Sequence, residues 1–436
     1  MAIDLTGVPE RVGELLAEYR IPSAVLGVLR GGETATVAVG VTDVATGEPA
    51  TTSTVYQVGS MTKTWTALAF LQSVDEGRAS LDEPVRTWLP GFRVADPEVS
   101  ARVTPRHLLQ HTSGIEEDFG DPGEGDDVHE RMVAGIAGAR QVHPLGHTHG
   151  YSAALGYAIL ARILEVLDGK RWDDVLADRL LGPLGLTATT SRPADAGRGP
   201  IAKGHLPGPV RTPVDRLPRC YGPGGGISST IGDVLTTARF LLDGPVHRMG
   251  RSRVPVPDPY LFGPAWALGL IVCDWHGETV YASDGSTIGQ NARLRLLPEA
   301  DLAIAMLTNG GPRESFYKRV FNEILTRLDR PTIPELPEPD PTLALDPADY
   351  VGVFARPGIS YEVVATGDRL QVIQAVDPMQ ARILGRPDRV TYDLLPISRT
   401  HFLMPPATPL EDPQTVAVYD HSRYLHTNCR VHPRVA

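Results

Sequence analysis

The chain reads as an α+β protein with a second, smaller all-β part at its C-terminus. Three observations predict this. Residues 266–309 alternate as consecutive antiparallel strands, with helical patterns before and after them. Residues 331–347 are rich in proline and acid (Pro334, Pro337, Pro339, Pro341), the composition of a semi-rigid linker. From Tyr350 onward short strands broken by turns take over, for roughly 90 residues, an ordinary size for a small domain. The expected divisions are therefore 1–330, 331–347 and 348–436.

Taken in order, residues 8–20 have the spacing of an amphipathic helix. Residues 24–30 and 34–40 then read as two strands around Gly31-Gly32. An extended segment, Thr54–Val58, leads through Gly59 into an apolar helix that begins near Ser60. Residues 103–114 contain a short helix ended by Gly114. The acidic, glycine-rich residues 115–130 (Glu116, Glu117, Asp118, Asp121, Glu124, Asp126, Asp127) are expected to be a solvated loop, because their spacing matches no cation-binding loop. Tyr151 is expected to open a helix that continues from Leu155 to Leu167, and residues 193–218 read as loop. Gly222–Thr230 precedes a helix from Ile231 to Leu242, with Asp233 in its first turn, where a carboxylate suits the helix dipole. The strands follow: 266–274, then 279–283 running into a turn at Asp284-Gly285-Ser286, then 292–297 and 302–308. A helix over 314–328 closes the first part. In the tail, 361–365, 370–373 and 415–419 read as strands.

Charge and composition narrow the partners. The chain of 436 residues carries 41 Lys and Arg against 52 Asp and Glu, a formal net charge of −11. That balance disfavours nucleic acid and anionic membranes. No apolar run approaches the length of a membrane span. The first residues lack a basic segment followed by an apolar core, and Cys220, Cys273 and Cys429 are far apart and odd in number. These features predict a cytoplasmic protein with reduced, mostly buried thiols. No cofactor or metal is expected. The glycines at 222–226 lack a leading strand and the spacing of a dinucleotide fingerprint. His143, His147 and His149 lie in a Pro/Gly loop with no Cys or acidic residue interleaved.

The chemistry is expected at Ser60-Met61-Thr62-Lys63. On a helix, residues three apart stand on one face. A serine hydroxyl is a poor nucleophile until a base takes its proton, and a buried lysine kept neutral can be that base. At a helix start the Ser60 N–H is also a free donor for developing negative charge. The pattern alone favours a helix N-cap, which is what most serines at helix starts are. It recurs at Ser315-Phe316-Tyr317-Lys318 in what reads as an ordinary surface helix.

Later motifs decide between these readings. The order Ser60-Met-Thr-Lys63, His111-Thr-Ser-Gly114, Tyr151-Ser-Ala153 and Ser283-Asp-Gly285 resembles the serine β-lactamase-like superfamily. That superfamily includes class C β-lactamases, D-alanyl-D-alanine carboxypeptidases, family VIII esterases and acyl-transferring relatives in natural-product pathways. The likeness covers residues 1–330, and the tail resembles the small lipocalin-like β-domain that some members carry. The resemblance implies an antiparallel sheet flanked by helices plus an all-helical lobe, with the site in the cleft between. It implies that Ser60 is the acylated nucleophile, Lys63 its proton acceptor and Tyr151 a proton shuttle. The backbone N–H groups of Ser60 and Ser286 would form the oxyanion hole, and Ser283, Asp284, Gly285 and Ala153 would bind substrate. Ala153 stands where the family has Asn, and Ser283 where relatives carry Lys or His, so penicillin hydrolysis is expected to be weak. The activity expected is cleavage of an ester, thioester or activated amide of a cytosolic small molecule. The acyl group would pass to an amine or alcohol, or to water as in a plain esterase or peptidase. An inactive binding protein on the same fold is the contrasting expectation.

Overall fold

The computed structural model describes residues 3–117, 120–192, 199–311, 314–407 and 411–436; Asp118 of the acidic run and residues 193–198 of the expected loop lie outside them. Among the described residues, two eight-stranded antiparallel sheets organise the chain. The first contains β1 (Ser23–Arg30), β2 (Glu33–Gly40), β3 (Val254–Pro255), β4 (Ala265–Trp266), β5 (Ile271–Trp275), β6 (Glu278–Thr287), β7 (Gln290–Leu297) and β8 (Leu302–Thr308). Its strand order is β2-β1-β8-β7-β6-β5-β4-β3.

Strands β1 and β8 read as near-continuous apolar runs because both faces of the sheet are covered. On one face lie α1 (Val8–Tyr19) and the long helix that follows the sheet, Glu314–Arg327. They bury Val12, Leu16, Phe316 and Phe321 against Leu26, Val28 and Ile304. On the other face lie three more helices: α2 (Thr62–Asp75), α3 (Leu155–Asp168) and α4 (Ile231–Leu242). Helix α4 packs so closely that a Cβ on Gly27 of β1 would stand 2.7 Å from Leu235 Cδ1.

Helix α2 is buried on all sides through its first ten residues, as expected of a helix at the centre of a core. Its three buried threonines past the serine turn bond to neighbouring segments, 223–227 and Gly269 among them. Thr62 Oγ1 accepts from the Ile227 N–H at 3.1 Å, and Thr66 Oγ1 donates to the Pro223 carbonyl at 2.8 Å. Thr64 Oγ1 donates to the Gly269 carbonyl at 3.2 Å. Burying such groups without partners would cost about 1–3 kcal/mol each, so these bonds fix where the neighbouring segments sit.

The second sheet runs in sequence order from β9 (Gly352–Arg356), β10 (Ile359–Thr366), β11 (Arg369–Val376) and β12 (Arg389–Pro396) to β13 (His401–Met404), β14 (Gln414–Tyr419), β15 (Tyr424–Thr427) and β16 (Arg430–Pro433). A bridge between Phe354 and Arg434 brings its last strand back to its first, and the result is a nearly closed barrel around Phe354, Tyr361, Phe402 and Leu425. Between the sheets, residues 331–346 form no regular element, and Lys318 and Asn322 hold them through Pro334 and Ile333.

The barrel is docked on the first part by specific bonds. Arg356 pairs with Glu116 at 2.7 Å, and Thr415 donates to buried Asp258 at 2.7 Å. The Asp412 carboxylate accepts from the N–H groups of Glu314 and Ser315, and Val431 packs on Val142. The loop of three histidines lies along this seam: His149 is fully buried, with its ring centroid 6.1 Å from that of His426 of β15.

Three elements depart from the sequence reading. Tyr151 does not open a helix, since α3 begins only at Leu155. Asp284-Gly285-Ser286 is not a turn, because β6 continues to Thr287 and the reversal falls at Ile288-Gly289, where Gly289 has φ +79°. The expected strand 266–274 is two strands, broken around Gly269 at φ +84°.

Candidate active site

Ser60 sits in a tight 3-10 turn, Gly59–Met61, that leads directly into α2. The turn is possible because Gly59 adopts φ +52°, a region that strains other residues. A Cβ at Gly59 would stand 2.5 Å from the Ser286 backbone nitrogen. The reverse contact is as tight: a Cβ on Gly285 would overlap the Val58 carbonyl oxygen and stand 2.8 Å from the Ser60 nitrogen. Strand β5 pairs with β6 only as far as Ala282. Beyond it, two glycines let the free part of β6 lie directly against the serine turn.

One turn beyond Ser60, at the start of α2, Lys63 is 2% exposed. Its Nζ donates to the Ala153 and Gly224 carbonyls, each at 2.7 Å, and stands 3.3 Å from Ser60 Oγ. Burial, with help from the Arg430 cation and against the Glu117 anion, lowers the amine from its ordinary 10.5 to about 7. A neutral amine has two N–H donors and one lone pair. With both hydrogens on main-chain carbonyls, the lone pair is left for the Ser60 hydroxyl proton.

Tyr151 completes the group. Its phenol shares a hydrogen bond with Ser60, and withdrawal from water holds it above the ordinary tyrosine range despite that bond. The ring lies 4.9 Å from Lys63 Nζ and packs on His111 and Trp266, at centroid distances of 4.5 and 5.6 Å. Its own N–H donates to the Cys429 carbonyl at 2.7 Å. Cys429 is at the tip of the β15–β16 hairpin, where Asn428 and Cys429 both have positive φ. The barrel thus reaches the site itself.

The structure brings together Ser60, Lys63 and Tyr151, with the backbone of Gly285 and Ser286 alongside. It does not place the other expected residues in the same way. Ser283 is 5% exposed and its hydroxyl is shared with Thr64 Oγ1 at 2.7 Å, so it is engaged with α2 rather than held out for substrate. The Asp284 side chain projects from the opposite face of β6, as strand alternation requires, and is gripped there by Arg295. Its expected role in substrate binding is corrected accordingly. Ala153 contributes its main-chain carbonyl to Lys63.

Sequence reasoning missed three contributors. Gly224 holds Lys63 through its carbonyl, and a Cβ there would stand 3.4 Å from Nζ. Arg430, next to the hairpin tip, acts electrostatically on Lys63, Glu117 and Tyr151. Glu117, expected in a solvated loop, instead accepts from Ser152 Oγ and from the N–H groups of Ala153, Ala154 and Leu155 at 2.7–2.9 Å. Only its place three residues beyond Gly114 sets it apart from the other acids in that run.

This architecture has known counterparts. The Beta-lactamase family model matches residues 8–326, so the chain belongs to that family and is an enzyme of the serine β-lactamase-like superfamily. Penicillin-binding protein 4 of Amycolatopsis lactamdurans is 38% identical over 382 residues, 82% of this chain and 99% of that protein. The crystal structure of SurE matches with a TM-score of 0.76 at 26% identity, covering 99% of this chain and 100% of that one, and a second structure contains D-Leu. Over a shorter stretch of 105 residues, 23% of this chain and 26% of its own length, esterase EstB of Burkholderia gladioli is 42% identical. The family and these relatives define an acyl-transfer or hydrolase activity in general terms.

Proposed function

We propose that Ser60 is acylated by an ester, thioester or activated amide and that the acyl group then passes to an amine or alcohol in preference to water. The observation that carries this reading is the buried Lys63 amine, with two hydrogens on main-chain carbonyls and Ser60 Oγ 3.3 Å away. Lys63 takes the hydroxyl proton as Ser60 Oγ attacks the acyl carbon. The negative charge on the carbonyl oxygen is met by the N–H groups of Ser60 and Ser286. Tyr151 delivers a proton to the leaving group, whose bond to the acyl carbon breaks. It then removes one from the incoming nucleophile, and the expelled Ser60 Oγ takes back the proton held by Lys63, which restores the hydroxyl and the neutral amine.

Residues 1–330 act in this reading as the catalytic unit and 348–436 as a cover whose hairpin shapes the acyl site. The D-Leu in a SurE structure supports an amino acid or peptide of D-configuration as the acyl group. Three free cysteines, two of them buried, support a reducing, cytoplasmic setting.

The test offers N-acetylcysteamine thioesters of D- and L-leucine, with a panel of primary amines at millimolar concentration, and separates products by mass. Amide products and a D-over-L preference are expected. Free acid with every amine, at a turnover that never rises with amine, makes the chain a plain hydrolase, and the EstB likeness favours that second reading. Faster turnover of the L-thioester removes the D-specific part.

A further inference from the structure

We infer that Glu117 is a positioning residue for this site: its carboxylate fixes the turn that presents Tyr151 and the Ala153 carbonyl, and it supplies the negative charge that faces Lys63. The inference rests on the acyl-serine reading above and assigns a task to a residue outside the four motifs.

The geometry is unusual for a helix start. Helix α3 has Ala154, which has no side-chain oxygen, at its N-cap position, and Ser152 Oγ takes only the Gly156 N–H, at 3.0 Å. A carboxylate from 38 residues earlier takes the N–H groups before it. Glu117 Oε1 accepts from Ser152 Oγ at 2.7 Å and from the N–H groups of Ala154 and Leu155 at 2.9 Å. Oε2 accepts from the Ala153 N–H at 2.8 Å. A local Ser or Asp cap would stabilise the helix equally well. What it would not do is place an anion beside Lys63 while gripping the peptide whose carbonyl holds that amine.

The charged and titratable groups around Lys63, among the described residues, bear on this. Tyr151 and Tyr157 present their rings at 4.9 and 5.4 Å. His111 accepts from the Ser152 N–H at 3.1 Å, and burial keeps its imidazole well below the ordinary range. Arg430 is the cation opposite, and Glu117 is the anion. Burial pushes the Glu117 carboxyl up, but Arg430 and the bonds from Ser152, Ala154 and Ala153 outweigh it and hold the group ionised. Burial and Arg430 therefore oppose the ammonium form of Lys63, while Glu117 supports it.

Charge and shape can be separated by substitution. Glu117→Gln removes the anion and sets an amide N–H against the Ala153 N–H, so that bond is lost. Glu117→Asp keeps the charge and shortens the reach. The chain has four lysines (Lys63, Lys170, Lys203, Lys318), so their Nζ and Cε signals are few enough to follow by NMR in lysine-labelled protein. The second readout is the rate at which a fluorophosphonate labels Ser60, which needs no substrate.

Glu117→Gln is expected to move the Lys63 midpoint to lower pH, Arg430→Met to higher pH, and Glu117→Asp to leave it in place. Both Glu117 variants should slow labelling by roughly tenfold or more at pH 8, with folding checked by circular dichroism. An unmoved midpoint in folded Glu117→Gln, with labelling reduced only in proportion to folded protein, overturns the inference and leaves Glu117 a helix cap. If Glu117→Gln does not fold, Glu117→Asp decides: an unchanged labelling rate overturns the positioning role, and a tenfold loss with the midpoint retained supports it. If wild-type Ser60 is never labelled while the Lys63 midpoint still moves, the acyl-serine reading has failed and the charge coupling stands.

Discussion

The buried amine makes the pH dependence of Ser60 acylation a quantitative test. At the ordinary lysine value of 10.5, about three amines in ten thousand are neutral at pH 7; at about 7, roughly half are. Burial thus raises the fraction of competent base by roughly a thousandfold, equivalent to about 4 kcal/mol at neutral pH. The sign is fixed by chemistry, because only the deprotonated amine accepts the Ser60 proton. The labelling rate should climb about tenfold per pH unit below ~6.5 and flatten above ~8, where about nine-tenths of the amine is neutral. The assay is fluorophosphonate labelling under pseudo-first-order conditions, followed by intact mass, with the adduct mapped to Ser60. A rate that keeps climbing tenfold per unit through pH 9 refutes the argument, since the base would then titrate like an exposed lysine.

Two further expectations follow from the same geometry. Tyr151→Phe should lower turnover by about 10²–10⁴ while Ser60 still labels, as measured by steady-state kinetics on an activated ester. Gly285→Ala should cut labelling of Ser60 sharply and lower Tm, because the added Cβ meets main-chain atoms of Val58 and Ser60 that cannot rotate away; normal labelling in this variant would show that β6 need not lie so close.

The fold was legible where hydrophobic period and punctuation agree. The amphipathic α1, the apolar α2 and the strands from β5 to β8 all announce their burial through spacing, and the proline-rich stretch marks the change of sheet. What misled was local chemistry with a tertiary purpose. Asp284-Gly285-Ser286 has turn composition, yet its glycine is there so that a strand can touch the serine turn. Within the acidic run, Glu117 bonds α3 while Asp126 pairs with Arg171 at the surface, and no periodicity separates the two. Motif order located Ser60, Lys63 and Tyr151. It missed Gly224, and it named Ala153 for substrate binding rather than for its hold on Lys63, because both act through main-chain carbonyls, which every residue possesses. Arg430 lay beyond reach for a topological reason: it comes from a barrel whose docking is not written in the spacing of either part.

Burial also makes Lys63 a stability element with a predictable sign. In the unfolded chain the amine binds its proton up to about pH 10, whereas in the folded chain it releases it near 7. Between these values the unfolded state holds more protons, so stability contributed by this group rises with pH through that window and is flat well below 7. Integrated from pH 6 to 9, the rise is about 3 kcal/mol. Lys63→Met abolishes it. At neutral pH the variant also leaves the Ala153 and Gly224 carbonyls without their donor, a loss of about 1–3 kcal/mol each that offsets the relief of removing a buried charge. Its stability at any single pH therefore says little. The difference between the two proteins is decisive, because other titrating groups largely cancel. Urea unfolding at pH 6 and 9 should show Lys63→Met gaining about 3 kcal/mol less than wild type. Equal pH dependence in the two would mean that the amine is solvated in the folded enzyme, and the neutral base on which the acylation argument rests would be gone.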